Sequence, residues 1–177
     1  MKRLLYVRHA PKEKDIIGQG GLDLTQKKAT QDEFTDIFYG PLYRTVQTAL
    51  AAIASIDSRV ERVHAPIKEV GTAEVFHEMA NLGFTEAKKL GLSNMEALDQ
   101  SHDLTIIKKF EEEAGRGVQK MFSLMEENGY GICFGHDPII PLASRAFGLV
   151  NAHSIDPLDS ICFYQNDSGE IFVNRLK

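Results

Sequence analysis

The chain has 177 residues, enough to bury one sizeable core, and its 43% apolar and 25% charged content is the balance of a globular domain. A net charge of −5 argues against general nucleic-acid binding, and no apolar run approaches the roughly 20 residues of a membrane span. The basic-then-apolar start is too short for a signal peptide and charge returns at Arg8, so a cytoplasmic protein with no membrane partner is expected. Cys133 and Cys162 sit in apolar runs and are expected as reduced core residues rather than a disulfide or metal pair. There is no internal repeat, low-complexity tract or linker, which predicts one domain over 1–177.

Leu4-Leu5-Tyr6-Val7 predicts a buried strand. It hands over at once to Arg8 and His9, at the end where a parallel strand opens toward a ligand crevice. Residues 11–24, with Gly18, Gly20 and Gly21, predict a loop, and Thr25 is placed to cap a helix from Gln26 to about Thr35. Asp36–Tyr39 predicts a second strand, ended by Gly40-Pro41. A helix from near Leu42 to near Ile56 follows, with Val46, Ala49, Leu50 and Ile53 as its apolar stripe. Arg44 falls in its first turn, where free amides and the helix dipole already favour an anion.

Val60–Ala65 predicts a third strand, and Ile67–Gly71 a loop carrying Glu69, with Glu74 just beyond. Residues 75–103 read as two short helices over one side of the crevice, forming a small segment that covers the substrate. His77 and His102 lie in that segment without metal-ligand spacing, so solvated or packing roles are expected. Leu104–Asn128 is the longest predicted helix, from the recurrence of Ile107, Phe110, Ala114, Val118, Met121 and Met125. Gly115 and Gly117 should weaken it by about 1 kcal/mol each relative to Ala. Gly131–Gly135 predicts a strand, with His136-Asp137-Pro138 at its end and a helix from Pro138 to about Phe147. Ser160–Asn166 and Glu170–Arg175 predict a terminal hairpin.

Strands alternating with helices imply an α/β class, a three-layer α/β/α sandwich around a mixed, mostly parallel six-stranded sheet. Its strand-end crevice would collect Arg8, His9, Arg44 and His136. Guanidinium forks and imidazoles around one point suit a tetrahedral anion and fit phosphoryl transfer, where catalysis is positioning and charge stabilisation. No Gly-rich nucleotide cradle is present.

The segment Leu5-Tyr6-Val7-Arg8-His9-Ala10 resembles the signature of the histidine phosphatase superfamily, also called phosphoglycerate mutase-like. Three further segments resemble that family in its order: Leu24-Thr25 with Ala29, Tyr39-Gly-Pro-Leu-Tyr-Arg44-Thr-Val-Gln-Thr-Ala49, and Ile132-Cys-Phe-Gly-His136-Asp137. The resemblance implies that His9 attacks phosphorus and becomes a transient phosphohistidine. Arg8, Arg44 and His136 would hold the phosphoryl oxygens, with no metal and no cofactor. The family's acid is a glutamate after the third strand. Glu69 in Ile67-Lys68-Glu69 fits it best, with Glu74 the runner-up and Glu78 a distant third.

The sequence departs from the family pattern at Gly40, where a serine is usual, at Lys28, and in lacking the asparagine after His9 that many mutases carry. Ala10 in place of glycine resembles the small phosphohistidine phosphatases. The expected activity is therefore a metal-independent phosphatase that acts on a phosphomonoester and releases inorganic phosphate. The alternatives are a phosphohistidine phosphatase acting on a phosphoprotein, a phosphoglycerate-type mutase, and a non-catalytic phosphate-binding module.

Overall fold

The computed structural model describes residues 1–177 apart from 14–15, 31, 57–59, 82–88, 101–103, 151 and 176–177. Its centre is β1 (Lys2–Arg8), where side chains alternate between two cores as strand geometry requires. Leu4 and Tyr6 enter one core, and Leu5 and Val7 the other. A strand buried on both faces reads as a continuous apolar run, and that is what makes residues 4–7 legible.

Seven further strands and six helices follow in the described chain. A short hairpin, β2 (Lys12–Glu13) and β3 (Ile16–Ile17), leads to α1 (Gln19–Ala29). β4 (Asp36–Tyr39), α2 (Tyr43–Ser55) and β5 (Arg62–Val63) come next. A 3-10 turn at Lys68–Val70 precedes α3 (Ala73–Met79), α4 (Asn94–Asp99) and the long α5 (Leu104–Leu124). β6 (Tyr130–Gly135), α6 (Ile139–Ala146), β7 (Ser160–Gln165) and β8 (Ile171–Arg175) complete it.

The main sheet has six strands in the order β5-β4-β6-β1-β7-β8. The first four run parallel, and β7 and β8 are antiparallel additions at one side. Helices α1 and α2 cover the face that carries Leu5, Val7, Ile37 and Phe134, and α5 and α6 cover the face that carries Leu4, Tyr6, Phe38 and Phe163. This is the expected mixed, mostly parallel sheet between two helical layers.

Several local expectations need correction. Helix α1 begins at Gln19, so Thr25 is an interior residue, buried, with its hydroxyl donating to the Gly21 carbonyl at 2.8 Å. Glycine is the natural residue at 21 because a Cβ there would lie 2.6 Å from the Pro11 carbonyl oxygen. The buried residues of α2 are Thr45, Thr48, Ala49, Ala51 and Ala52; of the expected stripe Ala49 and the part-buried Ile53 face the core, while Leu50 is exposed. Small residues let α2 approach the sheet closely; there the Thr48 hydroxyl donates to the Arg44 carbonyl within the helix, and the Thr45 hydroxyl to the Gly40 carbonyl just before it. Strand β5 covers only two residues of the expected six. The expected helices of 75–103 appear as α3 and α4, and His102 lies outside the described residues.

Gly115 and Gly117 have a packing reason. A Cβ at Gly115 would meet the Ala146 Cβ at 2.8 Å, and one at Gly117 would meet the Glu69 Cβ at 3.0 Å. Both cysteines are free and buried. At the strand starts, remote from the crevice, buried Asp36 accepts from Arg62 Nε at 2.9 Å and contacts His64 Nε2 at 2.7 Å, which ties the short edge strand β5 down. Among the described residues no helix is long and apolar enough to cross a membrane.

Candidate active site

The site follows from strand register. β1 and β6 are parallel neighbours with Arg8 opposite Gly135, so the next residues, His9 and His136, leave the same edge side by side. The His9 amide donates to the Gly135 carbonyl at 2.9 Å, which extends the ladder to the first histidine. The two imidazole centroids are 4.6 Å apart, and both rings are buried.

Helix α2 enters the same edge from β4. The Thr48 hydroxyl accepts from the Ala10 amide at 3.3 Å and donates to the Arg44 carbonyl at 2.8 Å. That bridge ties the first turn of α2 to the residue after His9. Arg44 is close enough for its charge to depress the pKa of both histidines, and so is Arg8. The structure thus brings together Arg8, His9, Arg44 and His136.

The electrostatics favour neutral imidazoles. The His9 pKa is lowered from 6.5 to about 4. Burial is the largest cause, and Arg44, Arg8 and Lys12 act in the same direction against the hydrogen bond to Ala10. His136 is lowered further, first by burial and then by the charges of His9, Arg44 and Arg8. His9 Nδ1 lies 2.8 Å from the Ala10 carbonyl oxygen. A carbonyl can only accept, so Nδ1 carries the proton and the Nε2 lone pair is left for chemistry.

Both ring nitrogens of His136 and Nε of Arg8 are buried without a partner among the described residues. A buried unsatisfied polar group costs about 1–3 kcal/mol. Such groups gathered beside two guanidiniums are what an oxyanion would satisfy.

Glu69 is not drawn into this cluster. It sits in the 3-10 turn against α5, with both carboxylate oxygens 3.2 Å from Lys120 Nζ. Burial raises its pKa, but its own amide, Lys120 and Arg116 outweigh that and leave it below the ordinary value. Glu74 is exposed in the first turn of α3. Glu78 pairs with Lys109 on α5 at 3.2 Å.

Three neighbours of the quartet have no role assigned to them by the sequence. Lys12, four residues past Arg8, adds positive potential at His9. The Phe76 ring on α3 lies 5.1 Å from the His136 ring and packs α3 against the site. Asp137 is buried, and burial raises its pKa against the pull of Arg8 and its hydrogen-bond donors. Its place directly after a strand-end histidine is the one signal that the sequence offers. Among the described residues no group of three or more His, Cys, Asp or Glu could hold a metal ion.

Sheet order and helical layers together define a phosphoglycerate mutase-like fold. Solved structures share it over nearly the whole chain. A phosphoglycerate mutase from Bacillus anthracis superposes with a TM-score of 0.69 at 13% identity, covering 98% of this chain and 92% of its own. A phosphoserine phosphatase from Entamoeba histolytica, solved with 3-phosphoglyceric acid, gives 0.65 at 16% identity, with 98% and 95% covered. The protein histidine phosphatase SixA, solved with tungstate, gives 0.56 at 12% identity, with 97% and 94% covered. No protein-family model and no curated protein matches the chain.

Proposed function

We propose that this protein is a metal-independent phosphatase that works through a phosphohistidine on His9. The observation that carries the proposal is the state of His9. Its Nδ1–H is committed to Ala10, it is neutral at physiological pH, and it stands in the field of Arg44 and Arg8 beside a second neutral imidazole. The Nε2 lone pair attacks phosphorus while the P–O bond to the leaving group breaks. Arg8, Arg44 and an N–H of His136 bind the phosphoryl oxygens where charge is redistributed. Water then attacks the phosphorus, the P–N bond breaks, and inorganic phosphate leaves. The four side chains supply positive charge and hydrogen-bond donors, so the scheme has no metal step. The fold neighbours that act as phosphatases support the same reading.

An alkoxide leaving group needs a proton, and we assign that role to Glu69. To serve, its carboxylate must exchange Lys120 for the substrate. The ion pair with Lys120 also favours a second reading, a phosphohistidine phosphatase acting on a phosphoprotein. A protonated imidazole leaves without a carboxylic acid, so that reaction proceeds with Glu69 still paired.

The decisive experiment is brief incubation with a labelled phosphodonor in the presence of EDTA, followed by quenching. Acid-labile label on His9, lost together with turnover in a folded His9→Ala protein, is the expected result. Turnover unimpaired in that variant, or activity removed by EDTA and restored by a divalent cation, would overturn the scheme.

A further inference from the structure

The segment 154–159 grips Arg8 at both ends. The Arg8 amide donates to the Asp159 carbonyl at 3.0 Å, and the Arg8 carbonyl accepts from the Leu158 amide at 3.1 Å. The guanidinium Nη1 donates to the Ile155 carbonyl. That last bond fixes the direction in which the fork points, and it depends on where Ile155 is held.

Asp137 holds it. One carboxylate oxygen accepts from the Ile155 amide at 3.3 Å, and the other from the Ser154 hydroxyl at 3.2 Å. The second oxygen also accepts from Asn94 Nδ2 at 3.0 Å, at the first residue of α4. The Ser154 hydroxyl in turn accepts from the Met95 amide at 3.3 Å. One buried carboxylate therefore joins three pieces of chain: the end of β6, the start of α4 and the segment that orients Arg8. It follows His136 directly, just past the end of β6.

We propose that Asp137 is a positioning residue that sets the Arg8 guanidinium for an oxyanion, through Ser154 and Ile155, and docks α4 at the edge of the crevice. This rests on the phosphatase reading of the quartet. A carboxyl beside an active histidine suggests a proton donor first, but its surroundings select the other role. Three donors converge on its two oxygens, so the cage is built for an acceptor. Releasing a proton to substrate would require the protonated form, in which one of those donors faces an O–H. Asparagine would put an amide N–H₂ against the same donors, so the nearly isosteric Asp137→Asn should disrupt the link while keeping the volume.

The test separates positioning from proton donation and from a merely structural role. Vanadate inhibition and kcat/KM would be measured for wild type and Asp137→Asn on a series of phosphomonoesters with leaving groups from p-nitrophenol to simple alcohols. Loss of a charge-assisted, buried link should weaken vanadate binding by about ten-fold or more. It should lower kcat/KM by a similar factor across the whole series. A loss confined to alcohol leaving groups would make Asp137 the acid and overturn the proposal, as would unchanged vanadate affinity in a folded variant. If Asp137→Asn does not fold, Ser154→Ala is read instead. Its vanadate affinity should fall by a few-fold with no dependence on the leaving group, and unchanged affinity overturns the proposal in the same way. Wild type that neither binds vanadate nor turns over any ester would overturn the phosphatase reading itself, a result distinct from either.

Discussion

Acidification should destabilise this protein through His9 before the surface carboxylates titrate. The folded-state pKa is about 4 against 6.5 for an unperturbed imidazole. Between those limits the unfolded chain binds more protons than the folded one, so stability rises with pH through the window and falls as pH is lowered. For a single group the effect is RT ln[(1 + 10^(pKU − pH))/(1 + 10^(pKN − pH))]. It amounts to ~0.2 kcal/mol near pH 7 and ~2 kcal/mol near pH 5. His136 acts in the same direction, since burial and then His9, Arg44 and Arg8 push it lower still. Urea unfolding near pH 7 and near pH 5, on wild type and on His9→Asn, isolates the His9 part. Wild type should lose about 2 kcal/mol more than the variant over that interval, at similar m-values. Equal losses in both proteins would mean that His9 is not buried as a neutral ring, and the account of its nucleophilicity would fail with it.

Three other outcomes are expected. Arg44→Ala should weaken competitive inhibition by vanadate about ten-fold or more, because a charge-assisted donor is removed. Vanadate affinity indifferent to Arg44 would detach α2 from the site. Thr48→Val leaves the buried Ala10 amide without its acceptor and should cost about 1–3 kcal/mol in denaturant unfolding, and no loss would refute the bridge between α2 and the His9 strand. Glu69→Gln should slow hydrolysis of an alkyl phosphate by about 10²–10⁴-fold, with a much smaller effect on p-nitrophenyl phosphate. If every ester is hydrolysed as by wild type, the phosphohistidine reading takes precedence.

The parts of the molecule legible in sequence are those where one residue pattern has one structural meaning. The run Leu4–Val7 reads as a strand because both of its faces are buried, and His136 is found because another apolar run ends at it. The start of α1 is not legible. Gly20 and Gly21 are poor helix residues, and only the nearby Pro11 carbonyl shows why a glycine is needed at 21. The buried side of α2 misleads for a related reason. Threonines fill the close contact and Leu50 faces solvent, so counting apolar residues finds Ala49 and Ile53 but misses the threonines and wrongly adds Leu50. Spacing from a strand puts Glu69 in the turn after β5 but does not encode which way its side chain turns, and Lys120 is 51 residues away in the chain. Asp137 stands next to His136 in plain view, yet its partners Asn94, Ser154 and Ile155 come from two distant segments that only the folded chain assembles.

The pairing of Arg8 with Gly135 has a consequence for how this chain can change. The separation of the two imidazoles is fixed by a backbone ladder, not by any loop, so it is blind to length changes almost anywhere else. Insertions in the turn between β7 and β8 leave that ladder untouched. Deleting one residue between Ile132 and Gly135 would do the opposite. It would shift His136 down the strand by about 3.3 Å and turn it to the other face of the sheet. The chain outside the ladder can therefore be exchanged between variants like an interchangeable fitting, while the two six-residue stretches 4–9 and 131–136 have to be carried across together and in step.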